Sequence, residues 1–116
     1  MIIRIWRGWA AGTENADAYE VFLRTTFLPA AHKIAGYRGA DVLRRDVDNE
    51  VEFTTLTRFE SLDAIRAFAG DDPELANVAP RARALLAHWD DRCTHHKIAF
   101  SDESRSGLFN PRETHA

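Results

Sequence analysis

Residues 37 to 59 read as two extended arms around a polar turn, and this hairpin constrains the fold more than any other stretch. YRGADVLRRDV and EVEFTTLTRF, enriched in β-branched and aromatic residues, flank the turn formers Asp48-Asn49. In the second arm Val51, Phe53, Thr55, Thr57 and Phe59 share one face, and Glu52, Thr54, Leu56 and Arg58 share the other. Helical patterns stand on both sides of the hairpin, which confines the chain to an α+β architecture.

Before the hairpin, Ala16, Tyr19, Phe22, Leu23, Thr26, Phe27, Ala30 and Ile34 follow the three-and-four spacing of an amphipathic helix. Thr13 or Asn15 is its expected N-cap, Pro29 should kink or restart its last turn, and Gly36 should end it. After the hairpin, Ser61 caps LDAIRAFAG, whose Leu62, Ile65, Phe68 and Ala69 form a second stripe closed by Gly70. Asp72-Pro73 and Pro80 predict two further helical pieces, ELANV and RARALLAHW, in which His88 and Trp89 would be a cap and a core plug. The first strand is Ile2 to Trp9 and the last Arg92 to Phe100. Ile3, Ile5, Arg7 and Trp9 oppose Ile2, Arg4 and Trp6 on the first strand, so both of its faces carry large side chains and both need cover.

The order strand, helix, strand, strand, helix, strand is the split βαβ arrangement of a ferredoxin-like fold with a four-stranded antiparallel sheet. Both helices lie on one side. A second copy is the expected cover for the other side, giving a homodimer, a dimeric α+β barrel, that buries Arg4, Trp6, Leu56 and Arg58. The predicted domain spans residues 1–100. Residues 101–116 form a polar tail with only Leu108 and Phe109 as anchors.

Composition narrows the function by exclusion. A chain of 116 residues buries enough surface for one core without staples. Its longest apolar runs are far shorter than the ~20 residues of a membrane span, so no membrane association is expected. The single cysteine, Cys93, excludes an intramolecular disulfide and points to a reducing, cytoplasmic setting. Fifteen basic residues are scattered among eighteen acidic ones, which gives no electrostatic footprint for nucleic acid. No Ser-His-Asp order, GxGxxG loop, P-loop or CxxC pair occurs.

The segments RIWRGW, AYEVFLRTTFLP, GYRGADVLRR and EVEFTTLTRFESLDAIRAFAG together resemble the antibiotic biosynthesis monooxygenase family of dimeric α+β barrel proteins, over about residues 1 to 100. The resemblance implies one of two chemistries. Haem-degrading members place an asparagine on the first strand, a tryptophan in the second helix and a histidine some ten residues later. Arg7, Phe68 and Val78 stand there in this chain, and valine offers no lone pair to iron. The other branch oxygenates aromatic, quinol or polyketide-like molecules with no cofactor, the deprotonated substrate handing its own electron to dioxygen. The alternative is a catalytically silent dimer that binds a small ligand or has a structural role.

For the cofactor-free reaction the protein must supply an apolar slot, a cation and a base. Strand parity nominates Arg7 as the cation facing the helices and His96, which shares its parity with Ile98 and Phe100, as the base. Trp9, Phe22, Thr55, Thr57 and Phe68 are the candidate substrate-binding residues. Each has an ordinary alternative: core aromatics, β-forming threonines, a hydrogen-bonded histidine, and arginines in ion pairs, with Glu52 a ready partner for Arg4. His95 and His96 are adjacent on a strand, point to opposite faces and cannot chelate one metal, so no metal site is expected. An enclosed pocket of about 300 Å³ or more between sheet and helices would distinguish an enzyme from a silent dimer.

Overall fold

The computed structural model describes residues 1–104. The anchors Leu108 and Phe109 lie outside the described residues, and 98–104 follow the last strand without regular structure. Strand β1 (Ile2–Ala10) runs through the middle of the sheet. It pairs antiparallel with β3 (Glu50–Phe59) from Ile2 opposite Phe59 to Ala10 opposite Val51. β2 (Tyr37–Val47) completes the hairpin, with Asp48 at φ 55° in the turn and an irregularity between Tyr37 and Gly39.

On its other edge β1 meets two short strands rather than the single one expected. β4 (His88–Trp89) lies opposite Gly8 and Trp9, and β5 (Thr94–Lys97) opposite Ile2 to Ile5. The sheet is thus five-stranded and antiparallel, with order β2-β3-β1-β4 and β5 sharing the β1 edge. The α+β, ferredoxin-like class is the expected one, with its fourth strand split in two.

The first helical region is α1 (Thr13–Phe22), a π-helical turn (Leu23–Phe27) and α2 (Leu28–Ala31). Pro29 has no N–H to offer and its ring crowds the carbonyl four residues back. The turn just before it is widened, and the Leu28 N–H bonds to the Leu23 carbonyl. Gly12, extended, is the N-cap, so Thr13 and Asn15 lie inside the helix rather than capping it. α3 (Leu62–Ala69) starts as read, with Ser61 Oγ accepting from the Ala64 N–H at 3.2 Å, and ends at Gly70 with φ 94°. ELANV is not helical; Leu75 makes an isolated bridge to Arg92. α4 (Pro80–Leu85) stops before His88 and Trp89, which join the sheet after the Ala87 N–H bonds to the Trp9 carbonyl at 2.7 Å.

The register decides which side of β1 meets the helices. Opposite residues share a face, so Arg4, Trp6 and Gly8 stand with Thr57, Thr55 and Phe53, and these are the helix-facing set. Ile3, Ile5, Arg7 and Trp9 face outward with Arg58, Leu56, Thr54 and Glu52. This corrects the facing expected for β1 and for the dimer surface, since Arg4 and Trp6 are on the opposite side from Leu56 and Arg58. The core is in two clusters. One holds Tyr19, Phe22, Leu23, Val51 and Phe53, the other Ala31, Tyr37, Phe59 and Ile65.

Candidate functional site

A cavity of about 190 Å³ lies between sheet and helices. The sheet contributes Arg4, Trp6, Thr55 and Thr57 to its wall, and the first helical region contributes Tyr19, Leu23 and Phe27. Leu23 and Phe27 are the first and last residues of the π turn, an irregularity often found at functional sites. Phe68 of α3, Val78 and Cys93 complete the part that bears on chemistry.

Cys93 reaches the cavity because the β1 edge is interrupted. Between β4 and β5 the chain leaves β1, and the Cys93 N–H bonds to the Glu74 carbonyl at 2.6 Å while the Ala76 N–H bonds to the Asp91 carbonyl at 3.0 Å. Trp6 Nε1 donates to the Asp90 carbonyl at 2.7 Å and fixes the start of the excursion.

Arg4 is the charged group of the site, and it is 7% exposed. Its Nη1 donates to Cys93 Sγ at 2.8 Å, its Nη2 to the Leu75 carbonyl at 3.2 Å, and its Nε, although buried, has no partner. The guanidinium carbon lies 5.6 Å from the centre of the Phe68 ring. Burial pulls its pKa below the usual guanidinium value, and the neighbouring Cys93 opposes the shift. The same burial pushes the Cys93 thiol up, against the Arg4 charge, so the partner is a neutral thiol. Burial also raises the Tyr19 phenol. Thr57 Oγ1 donates to the Arg4 carbonyl at 3.3 Å, whereas buried Thr55 Oγ1 has no partner. Asn77 Nδ2 donates to the Ala69 carbonyl at 2.9 Å, tying its loop to the end of α3.

Of the residues expected at the site, Thr55, Thr57 and Phe68 line the cavity. Phe22 is buried in the neighbouring core and is not part of the wall. Arg7, expected to face the helices, faces outward and pairs with Asp90 at 2.9 Å. Trp9 is also on that outward face, stacked on His88 with ring centres 4.6 Å apart. His96 stands opposite Ile3 on the same side, its Nε2 3.1 Å from Thr94 Oγ1. His95 is the helix-side histidine, opposite Arg4, with a buried Nε2 lacking a partner; burial, then the Arg4 charge, lowers its pKa. Arg4 and Cys93 line the cavity but were not among the residues expected there. Gly8 was the available signal, because a glycine inside a strand marks close approach of a packed neighbour. A Cβ there would sit 2.9 Å from Leu86 Cδ1, and Gly8 has the parity of Arg4.

The chain matches no protein-family model and no curated protein. Among solved structures it is similar to a proposed antibiotic biosynthesis monooxygenase from Bacillus cereus, with TM-score 0.59 and 16% identity over 90% of this chain and 96% of that one. It is also similar to a mutant of MhuD holding two manganese protoporphyrin IX molecules per active site, with TM-score 0.63 and 19% identity over 90% of this chain and all of that one. At these identities the likeness establishes the fold.

The cavity walls do not suit a porphyrin. Phe68 and Val78 both line the cavity, and among the described residues no imidazole does. Its 190 Å³ is below the ~300 Å³ at which sites for drug-sized ligands begin. Among the described residues no three His, Cys, Asp or Glu side chains gather as a metal site would require, and no helix is long and apolar enough to cross a membrane.

Proposed function

We propose that the chain is a small monooxygenase-type enzyme that takes an aromatic, quinol-like molecule into the cavity and oxidises it with dioxygen, needing no resident cofactor. The observation that carries this reading is Arg4: a guanidinium buried at an aromatic wall, with one N–H unpaired and no carboxylate countercharge among the described residues. A fixed cation in a medium of low polarity favours a bound phenolate over the phenol, and the phenolate is the form that gives up an electron. In the oxidation of a hydroquinone to a hydroxyquinone, one ring C–H becomes C–OH. The two quinol hydrogens leave with the second oxygen atom as water, and the substrate supplies all four electrons. The fold shared with the Bacillus cereus protein supports this reading. A second copy covering the outward sheet face around Ile5 and Leu56, and the reducing compartment that a single thiol favours, belong to the same proposal.

Two observations favour a binding-only role: the cavity, at about 190 Å³, is smaller than the ~300 Å³ expected of an enzyme's pocket, and among the described residues no carboxylate or imidazole lines it, so no strong proton acceptor is at hand. Oxygen uptake by purified, metal-free protein across a set of single-ring quinols separates the two. The expected result is uptake with at least one of them that falls by about one hundredfold in Arg4→Met. Tight binding of a quinol without uptake by any member would establish the binding role instead.

A further inference from the structure

We infer that the cavity is a monoanion site, in which one negatively charged oxygen of a single-ring aromatic ligand accepts hydrogen bonds from Arg4 Nε and Thr55 Oγ1. The inference rests on the reading above only in treating the cavity as a ligand site, and it names the ligand's charge and size.

Arg4 is 7% exposed and Thr55 6%, and each has a buried polar atom without a partner. Buried polar atoms in native folds nearly always have partners, so two orphans on one cavity wall mark a place where a ligand atom belongs. The register makes them neighbours. Arg4 is opposite Thr57 and Trp6 opposite Thr55, which places Arg4 and Thr55 diagonally on the same face, within reach of a long side chain. The guanidinium is held at both Nη atoms by Cys93 and Leu75, so the direction of Nε–H is set before any ligand arrives.

Charge and size then select the class. One cation without a countercharge is balanced by a monoanion; a phosphate would bring a second charge and further acceptor oxygens to walls that are otherwise Trp6, Phe27, Phe68 and Val78. A dry cavity of about 150 Å³ admits benzene. At 190 Å³ this partly open cavity has room for one ring and a small polar group, which fits a benzoate or a simple phenolate.

The test is calorimetric titration of the full chain with benzoate, its neutral isostere benzamide, and inorganic phosphate. Benzoate should bind once per chain, about ten- to one hundredfold tighter than benzamide, as a charge-assisted bond to a buried cation requires. Phosphate should show no binding. Thr55→Val, nearly the same shape and safe for folding, should weaken benzoate by about two- to tenfold and leave benzamide alone. Arg4→Met should bring benzoate down to the benzamide level. Equal binding of benzoate and benzamide, phosphate binding in preference to benzoate, or unchanged benzoate affinity in Thr55→Val would overturn the inference. Oxygen uptake is read separately: uptake with quinols and no preference for benzoate refutes the anion site alone, and the reverse pattern refutes the enzyme alone.

Discussion

The Arg4 Nη1 donates to the Sγ of Cys93, 89 residues away in sequence, at 2.8 Å. A buried arginine ordinarily meets a carboxylate; this one meets a thiol that burial keeps protonated. The folded state therefore carries a desolvated charge that none of the described residues neutralises.

Removing that charge should cost little. Arg4→Met keeps most of the stem's packing and abolishes the desolvation, so stability to urea should change by less than about 1 kcal/mol, or rise, even as ligand binding is lost. Arg7→Met, which breaks an exposed ion pair with Asp90 and removes the guanidinium from the Trp9 ring, both on the outward face, should alter neither binding nor turnover. Loss of turnover in Arg7→Met with Arg4→Met unaffected would return the site to the outward face.

His95 should make the protein weaker in mild acid. Its pKa is lowered in the fold from an ordinary value of 6.5, so below 6.5 the unfolded chain takes up a proton that the folded one still refuses. Its contribution to stability is complete above pH 6.5 and declines as pH falls through the folded pKa. Melting of the wild type at pH 7.5 and 5.5 should show a larger drop than in His95→Gln. Parallel pH profiles would show that the ring is not held neutral by its surroundings.

Gly36 is constrained by its backbone and by its neighbour. It has φ +89°, and a Cβ there would lie 2.7 Å from Ala64 Cβ at the start of α3. Gly36→Ala should destabilise the chain by about 2 kcal/mol or more, read from the urea midpoint at unchanged slope.

The outward sheet face should hold a second copy. Ile5 and Leu56 are paired across β1 and β3 on that face, and an aspartate at either position would bury a charge at a dimer's centre. Sedimentation should show a dimer at micromolar concentration for the wild type and a monomer for Leu56→Asp, with an interface above about 1,200 Å² in total. A wild-type monomer refutes the arrangement.

Haem should not be taken up as a ligated cofactor. With no imidazole among the described residues of the cavity wall, one equivalent of haem should give no sharpened Soret band, and His95→Gln and His96→Gln should leave the spectrum as it was. A one-to-one titration removed by either substitution would show that a histidine reaches iron.

The strands, the hairpin and the two stripe-bearing helices were legible because their periods are local: alternation in EVEFTTLTRF, three-and-four spacing around Tyr19 and Ile65, a serine cap and glycine stops. The facing of β1 was not. Its two parities carry Ile3, Ile5, Trp9 and Ile2, Trp6, Ala10, each with an arginine, so hydrophobicity does not break the tie. The tie is broken by pairing with β3, some fifty residues away, and that error carried Arg7 and Trp9 into the expected site and left Arg4 out. His96 went wrong by the same one-residue ambiguity on β5, whose neighbours Ile98 and Phe100 lie past the strand's end. Thr55, Thr57 and Phe68 could be placed on the cavity side because β3 and α3 each show one clearly apolar side. Cys93 depended on a break in the β1 edge that no local pattern announces.

Phe27 packs against one core cluster and Phe68 against the other, and their rings meet edge to face with centres 5.7 Å apart at the cavity wall. The cavity is thus a seam between two separately packed halves. A ligand seated there would act as a rivet, adding contacts to both halves at once, and the protein's resistance to unfolding becomes a gauge of occupancy that rises with the logarithm of ligand concentration once the site is saturated. Amide exchange in α3 and in the π turn, on the two sides of the seam, should slow together as the ligand is added, and this reports binding whether or not any chemistry follows.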